Sequence, residues 1–301
     1  MNAISPSNPD QRLRKPRLLV VDDEPDNLDL LYRTFRREYQ VLRAESGTKA
    51  LDILKDNGEV AVIISDQRMP EMTGTEFFSK TVPDFPDTVR IILTGFTDVE
   101  DLVQAINNGQ VYRYITKPWD PLRLKAVVQQ ATDTYVLLKQ SNYELDVAKR
   151  QADLMARVAQ LANLDVTEGE ALQFIADGWG QILSASLCAI QAIDTGRRGA
   201  TVVYGDFQGQ SLDSHPLVQA AIATRTIQAA PDVSRDDLTS DFYEITATQS
   251  HLVLPVVFKD RLLAVVSLQW HQRYRTLDSV IGSLSIAISQ LAQALIAIRY
   301  R

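Results

Sequence analysis

LLVVDDEPDNLDLL, Leu18 to Leu31, passes from four consecutive apolar residues directly into three acids and a proline. An uninterrupted apolar run such as Leu18 to Val21 suits a parallel strand covered on both faces, whereas a half-exposed strand would alternate polar and apolar residues. Pro25 opens a helix carrying Leu28, Leu30, Leu31 and Phe35. Asp22, Asp23 and Glu24 therefore fall where a strand hands over to a helix, at the carboxyl edge where open α/β sheets bind their ligands. Helix capping accounts for one acid ahead of Pro25 and leaves two without a reason. On this stretch alone, capping and a functional site both stay open.

The alternation continues to about Lys139. Strands read from LLVV, YQVLRA, AVIIS, VRIILT and VYRYIT; amphipathic helices read from NLDLLYRTFRRE, TKALDILKDN, GTEFFSKT, VEDLVQAINN and PLRLKAVVQQATDTYVLL. The pattern predicts an α/β domain, a doubly wound five-stranded parallel sheet with helices on both faces. At its strand ends stand Asp22 and Asp23, then Asp66, then Thr94, then Thr116 followed by Lys117 and Pro118. Each has a plain explanation alone: Asp66 as a cap, Thr94 as a strand end, Lys117 as a solvated charge. Together they bring acids, a hydroxyl and an ammonium to one edge. Clustered carboxylates repel one another unless a divalent cation sits among them. Mg2+ fits, because it takes one or two carboxylates, keeps waters and completes its octahedron with phosphoryl oxygens. A carboxylate beside that ion can attack phosphorus and become an aspartyl phosphate. Lys117 and Thr94 are then suited to stabilising the phosphoryl oxygens.

VVDDEP, ISDQRMPEMTG, LTGFTD and YRYITKPW, in this order, resemble the receiver domain of two-component response regulators. The resemblance implies that Asp66 is the phosphoacceptor, that Asp23 binds the metal directly with Asp22 helping through water, and that the backbone carbonyl of Arg68 is a further ligand. It also implies that Thr94 and Lys117 sense the phosphate, that Tyr114 is the aromatic that swings inward when phosphate draws Thr94, and that Lys117-Pro118 is a cis peptide. Phosphorylation would come from a sensor histidine kinase or a phosphotransfer protein. Glu24 is expected to be exposed. Arg68, two positions after the acceptor, is larger than the small or amide side chain expected there. Pro118-Trp119-Asp120 resembles receivers joined to cyclic-di-nucleotide phosphodiesterases and hybrid kinases, yet no paired His-Asp or GYP signature, kinase histidine box, GGDEF-like segment or helix-turn-helix is found.

At 301 residues and 45% hydrophobic, the chain holds apolar material for two ordinary cores at about 150 residues each. A net charge of −7 and a pI near 5.1, with no basic stripe, argue against nucleic-acid binding and a DNA-binding output. The N-terminus has no apolar signal segment, and a single cysteine excludes an internal disulfide framework, so a cytoplasmic protein is expected. Val280 to Ile298 is uncharged and about long enough to span a bilayer. Ser283, Ser285, Ser289, Gln290 and Gln293 interrupt it, which favours a helix buried between protein surfaces over a membrane span.

From Pro121 the helical pattern outruns a receiver helix. Leu124, Val128, Ala131, Tyr135, Leu138, Asn142 and Leu145 alternate steps of four and three, and Ala148, Ala152, Met155, Ala159 and Ala162 continue the seam less regularly. This reads either as a solvated spacer or as a parallel dimeric coiled coil in which Asn142 fixes register. Beyond it lie the helix EALQFIADGWGQILSAS, a hairpin of SLCAIQAID and ATVVYG across TGRRG, a second hairpin of SHLVLPVVF and LLAVVSLQWH, and the uncharged helix. These predict an α+β domain on an antiparallel sheet, and their order resembles a GAF domain. The family implies an unidentified small ligand under a roof from Asp206 to Thr248, or dimerisation alone. Cys188 reads as core filler and not as a bilin attachment site. His215, His251 and His271 are dispersed and read as structural or surface residues. The expected division is a loose tail over 1–15, the receiver over 16–138, a helical coiled-coil linker over 139–165 and a GAF-like sensor and dimerisation domain over 166–301, in a parallel homodimer whose only catalysis is slow phosphotransfer and dephosphorylation.

Overall fold

The computed structural model describes residues 15–95, 111–194, 196–207, 211–212, 215–235 and 241–300. The tail and the helix expected over VEDLVQAINN lie outside the described residues. The chain forms two compact units, 1–144 and 145–301.

In the first unit, strands β1 (Arg17–Val21), β2 (Gln40–Ala44), β3 (Val62–Asp66), β4 (Val89–Thr94) and β5 (Arg113–Thr116) form a sheet in the order β2-β1-β3-β4-β5. Every pairing is parallel. Leu18 to Val21 are all fully buried because both faces of β1 are covered. Leu18, Val20, Ile64 and Ile91 pack on Leu31 and Phe35 of α1 (Pro25–Phe35) and on the start of α4 (Pro121–Gln160). Leu19, Val21, Ile63 and Ile92 face the other way, onto Leu54 of α2 (Gly47–Asn57) and Phe77 and Phe78 of α3 (Gly74–Thr81). Each such side chain contributes about 1.5–3 kcal/mol of burial. The Thr73–Glu76 capping box starts α3. A Cβ on Gly74 would strike the backbone carbonyl of Asp66, so the glycine of MTG lets α3 begin against the end of β3.

α4 runs unbroken for 40 residues, and the structure corrects the expected seam. Leu124, Val128 and Ala131 are fully buried in the receiver's own core, so they cannot also face a second chain. Tyr135 packs against the same cluster. The side chain of Asn142, instead of sitting between two helices, donates to Asp87 Oδ1 at 2.8 Å. Lys139 Nζ lies 2.8 Å from both Glu59 Oε2 and Asp87 Oδ2. Burial opposes that ammonium, but the bonds to Asp87 and Glu59 outweigh it and raise its pKa above the ordinary lysine value. Burial, together with the charge of Glu59, pushes the neighbouring Tyr135 phenol up to about 12. Beside this clasp Leu138 is 42% exposed, and past it Leu145 is 68% exposed and Ala148 and Ala152 are exposed.

The second unit contains α5 (Glu168–Ile182), β6 (Leu187–Asp194), β7 (Arg197–Gly205), α6 (Pro216–Thr224), β8 (Gln228–Ala230), α7 (Asp241–Ile245), β9 (Ser250–Phe258), β10 (Arg261–Trp270) and α8 (Asp278–Arg299). Its antiparallel sheet is ordered β7-β6-β10-β9-β8. The TGRRG turn is shorter than expected, since β7 already starts at Arg197. One sheet face, with Cys188, Leu252 and Val266, packs against α5, α8, Leu154 and Val158 of the C-terminal turns of α4, and Leu161 just after it. Length and composition alone would let α8 cross a membrane; in the structure Val280, Leu284, Leu291 and Leu295 are buried in this core.

Replacing Lys139 by Met leaves Glu59 and Asp87 without their ammonium, a loss of about 1 kcal/mol locally. Hydrogen–deuterium exchange over residues 136–144 is expected to rise roughly fivefold, with 124–131 unchanged. Equal exchange in both proteins would reject the clasp.

Candidate functional site

The parallel register brings four strand ends together. Asp22 follows β1, and its backbone N–H donates to Ala44 O at 3.2 Å. Asp66 is the last residue of β3. Thr94 closes β4 opposite Thr116 of β5, and the N–H of Lys117 donates to Thr94 O at 2.7 Å. The Lys117-Pro118 peptide is cis. From there the ammonium of Lys117 reaches Asp22 Oδ2 at 3.1 Å and, more closely still, Asp66 Oδ1.

Each acid has further donors. Asp66 Oδ2 accepts the Arg68 N–H at 2.9 Å. Asp22, fully buried, accepts the Glu24 N–H at 3.0 Å on Oδ1, and Asn27 Nδ2 lies 3.1 Å from both of its oxygens. Burial pushes the Asp66 carboxyl above the ordinary range, with the charge of Asp22 in support and the Lys117 bond in opposition. Burial also works against the Lys117 ammonium, but Asp66 and Asp22 more than offset it and its pKa is raised. Thr94 is buried, with its hydroxyl donating to Gly95 O at 3.1 Å. Asp23, Glu24 and Arg68 are exposed, and Tyr114, at 42% exposure, keeps much of its ring in solvent.

The geometry bears on the capping reading of the acids. Glu24 is the N-cap of α1 and makes no side-chain cap bond, while Asp22 is bound by Lys117 from the far side of the sheet. Capping does not account for them. Asn27 was not legible as a site residue, because an amide in a helix's first turn looks like ordinary surface polarity.

In the second unit, two of the dispersed histidines converge. His215 and His251 lie edge to face with ring centroids 4.7 Å apart, and Tyr243 stands 5.0 and 5.7 Å from them. His251 Nδ1 meets the Tyr243 hydroxyl at 2.9 Å and its Nε2 meets Ser267 Oγ at 2.8 Å. Thr248 donates to Gln269 Oε1 at 2.8 Å, and Gln191 is buried on the neighbouring strand. This enclave lies on the sheet face opposite α5 and α8. Its signal was the every-second-residue spacing of Ser267 and Gln269 within an otherwise apolar strand.

A family model for the response regulator receiver domain matches residues 18–129. The hydrogenase transcriptional regulatory protein HoxA of Cupriavidus necator is 41% identical over 120 residues, 40% of this chain and 25% of that protein. The transcriptional regulatory protein GlrR of Escherichia coli is 37% identical over 153 residues, 49% of this chain and 33% of that protein. A chemotaxis protein CheY homolog of Campylobacter jejuni is 34% identical over 122 residues, 39% of this chain and 93% of that protein. The chain thus spans about a quarter to a third of the two transcriptional regulators and nearly all of the chemotaxis protein.

Burial holds His215 down to about 4, and burial together with the charge of His215 holds His251 well below 6.5. The unfolded chain takes up these protons near pH 6.5, so stability is intact above that pH and falls as pH drops towards 4. For His215 alone the loss reaches up to about 3 kcal/mol. Thermal melts of the full chain between pH 7 and 4.5 are expected to show this fall. His215→Asn, which keeps a cap acceptor for the Leu217 N–H but cannot titrate, should reduce it. Parallel curves for the two proteins would reject the assignment.

Proposed function

The chain belongs, through residues 18–129, to the response regulator receiver family, and from that premise we propose that Asp66 is phosphorylated by a sensor histidine kinase or a phosphotransfer protein. The observation that carries this reading is the Lys117 ammonium shared between Asp22 and Asp66. An Asp66 oxygen attacks phosphorus as the bond to the donor's nitrogen breaks and its electron pair returns to the donor. The raised pKa of Asp66 makes it a more basic nucleophile. Lys117 then follows the charge from the carboxylate to the phosphoryl oxygens, and the Thr94 hydroxyl donates to one of them.

The donor set fits Mg2+. Among the described residues no three His, Cys, Asp or Glu side chains form a metal cage by themselves. Mg2+ needs no such cage, since it binds through one or two carboxylates and keeps its waters. Asp23, Asp66 and the Arg68 carbonyl would hold the ion directly, with Asp22 acting through water. Bound there, it supplies neutralisation of phosphoryl charge.

We read the protein as signalling through α4 to the second unit, in the cytoplasm and without a DNA-binding output; the net charge of −7 supports this. The succession α5, β6, β7, β9, β10, α8 and the sheet order support a GAF-like identity for that unit. The domain division over 1–15, 16–138, 139–165 and 166–301 belongs to the same proposal. Beyond slow phosphotransfer to Asp66 and dephosphorylation, no catalysis is proposed. A second reading, a small-molecule sensor modulated by its receiver, draws on the buried polar enclave around His251. A parallel homodimer is supported by Leu138 and Leu145, and by an uncharged groove of about 340 Å3 between Ala159 and Ala162 on one side and Gln293, Ala294 and Ala297 on the other.

With acetyl phosphate and Mg2+, the wild-type chain is expected to gain one phosphoryl group by mass spectrometry and Asp66→Ala none. Undiminished labelling of the variant would overturn the assignment. By light scattering at micromolar concentration the wild type should be dimeric. Leu138→Glu with Leu145→Glu should shift it to monomer while Asp66 still labels, and a monomeric wild type would reject the dimer.

A further inference from the structure

Asn27 occupies the first turn of α1, half-buried, with its side-chain amide aimed at two acids. Its Nδ2 lies 3.1 Å from Asp22 Oδ1, 3.1 Å from Asp22 Oδ2 and 3.1 Å from Glu24 Oε2. Only the nitrogen can face these oxygens, because the amide oxygen turned that way would meet carboxylate oxygens alone. One neutral donor therefore links a fully buried carboxylate to an exposed one.

We propose that Asn27 is a positioning residue for the divalent cation, presenting Asp22 and drawing Glu24 into the ion's outer sphere. This rests on the reading of Asp22 and Asp66 as the cation and phosphoryl site. Asp22 is held by the Glu24 N–H, the Asn27 amide and the Lys117 ammonium. Lys117 is the one that must leave when a phosphoryl group arrives, since its charge is then needed on the phosphoryl oxygens. Asn27 and the backbone N–H keep Asp22 in place through that transfer. The amide brings no charge of its own, so it orients both carboxylates without cancelling the negative potential that attracts the ion. Outer ligands of this kind typically govern metal affinity by about 10- to 100-fold when removed. Glu24 then stands as a helix N-cap whose carboxylate serves the site and not the helix.

The test titrates MgCl2 into the full chain by calorimetry for the wild type, Asn27→Leu, Glu24→Gln and the double variant. Asn27→Leu keeps the side-chain shape and loses both donors, and it should weaken Mg2+ binding about tenfold. Glu24→Gln should weaken it about threefold in the wild-type background and not further in Asn27→Leu, since without the amide Glu24 is no longer held. Labelling by acetyl phosphate gives an independent readout: Asn27→Leu should slow it at low Mg2+ and recover at saturating Mg2+. Affinities within twofold of wild type, or losses that simply add, would overturn the proposal. Should Asn27→Leu not fold, Glu24→Gln decides by itself, and an unchanged affinity overturns the proposal. Labelling that survives Asp66→Ala would strike the underlying site reading instead, so the two failures are distinct.

Discussion

One ammonium between two carboxylates sets the terms for the first unit. Asp22 is fully buried and Asp66 nearly so, and the Lys117 ammonium reaches an oxygen of each, offsetting part of the cost of burying two carboxylates. Removing one member of such a group costs about 3–5 kcal/mol, because the charge left behind is buried and uncompensated. The three residues lie far apart in sequence, so the contact exists only if β1, β3 and β5 are parallel and end at one level. The sheet order places β3 beside β1 and carries β4 and β5 outward from it, while the bond from the Lys117 N–H to Thr94 O fixes where β5 delivers the lysine. The continuous apolar strands, the glycine that admits α3 against Asp66 and the acids after Val21 are all requirements of that one contact.

The same requirement explains what the sequence made legible. Strands buried on both faces must be apolar throughout, so Leu18 to Val21 and Val62 to Ile64 announce a covered parallel sheet, and the polar residues just past them stand out at its edge. Asp22, Asp66, Thr94 and Lys117 could be read in this way because a charge or hydroxyl at the end of an apolar run has few other reasons to be there. Asn27 could not, since its position in a first helical turn is one where polar residues are ordinary. Tyr114 is singled out by resemblance alone, and its exposure does not distinguish it among surface aromatics.

The α4 seam shows a different limit. Apolar residues at steps of three and four mark the buried stripe of any amphipathic helix, whether the covering surface belongs to the same chain or to another. Leu124, Val128 and Ala131 satisfy the pattern by packing on the receiver, whereas in the second unit the buried positions are Leu154 and Val158, one residue before the expected Met155 and Ala159. Asn142 resembled a register-fixing core amide, yet Asp87 gives it a partner within its own unit. Periodicity identified the helix and its sided character; the identity of the opposite surface needed long-range contacts that periodicity does not encode. The histidines failed to be read for the same reason, since 36 residues separate His215 from His251 in sequence and the packing of α6, which His215 caps, against β9 makes them neighbours.

The two units bury polarity in different chemical forms, and this constrains how each can be switched. The first holds ionised groups, so adding a phosphoryl group changes the local charge and obliges Lys117 to redistribute its contacts. The enclave around His251 holds neutral imidazoles, amides and hydroxyls, where a new charge would be strongly disfavoured and only an exchange of hydrogen-bond partners is cheap. α4 contributes side chains to both cores, with Leu124 to Ala131 in one and Leu154 and Val158 in the other. What the two cores share through α4 is therefore apolar packing, while the ionised groups stay at the strand ends of the first unit.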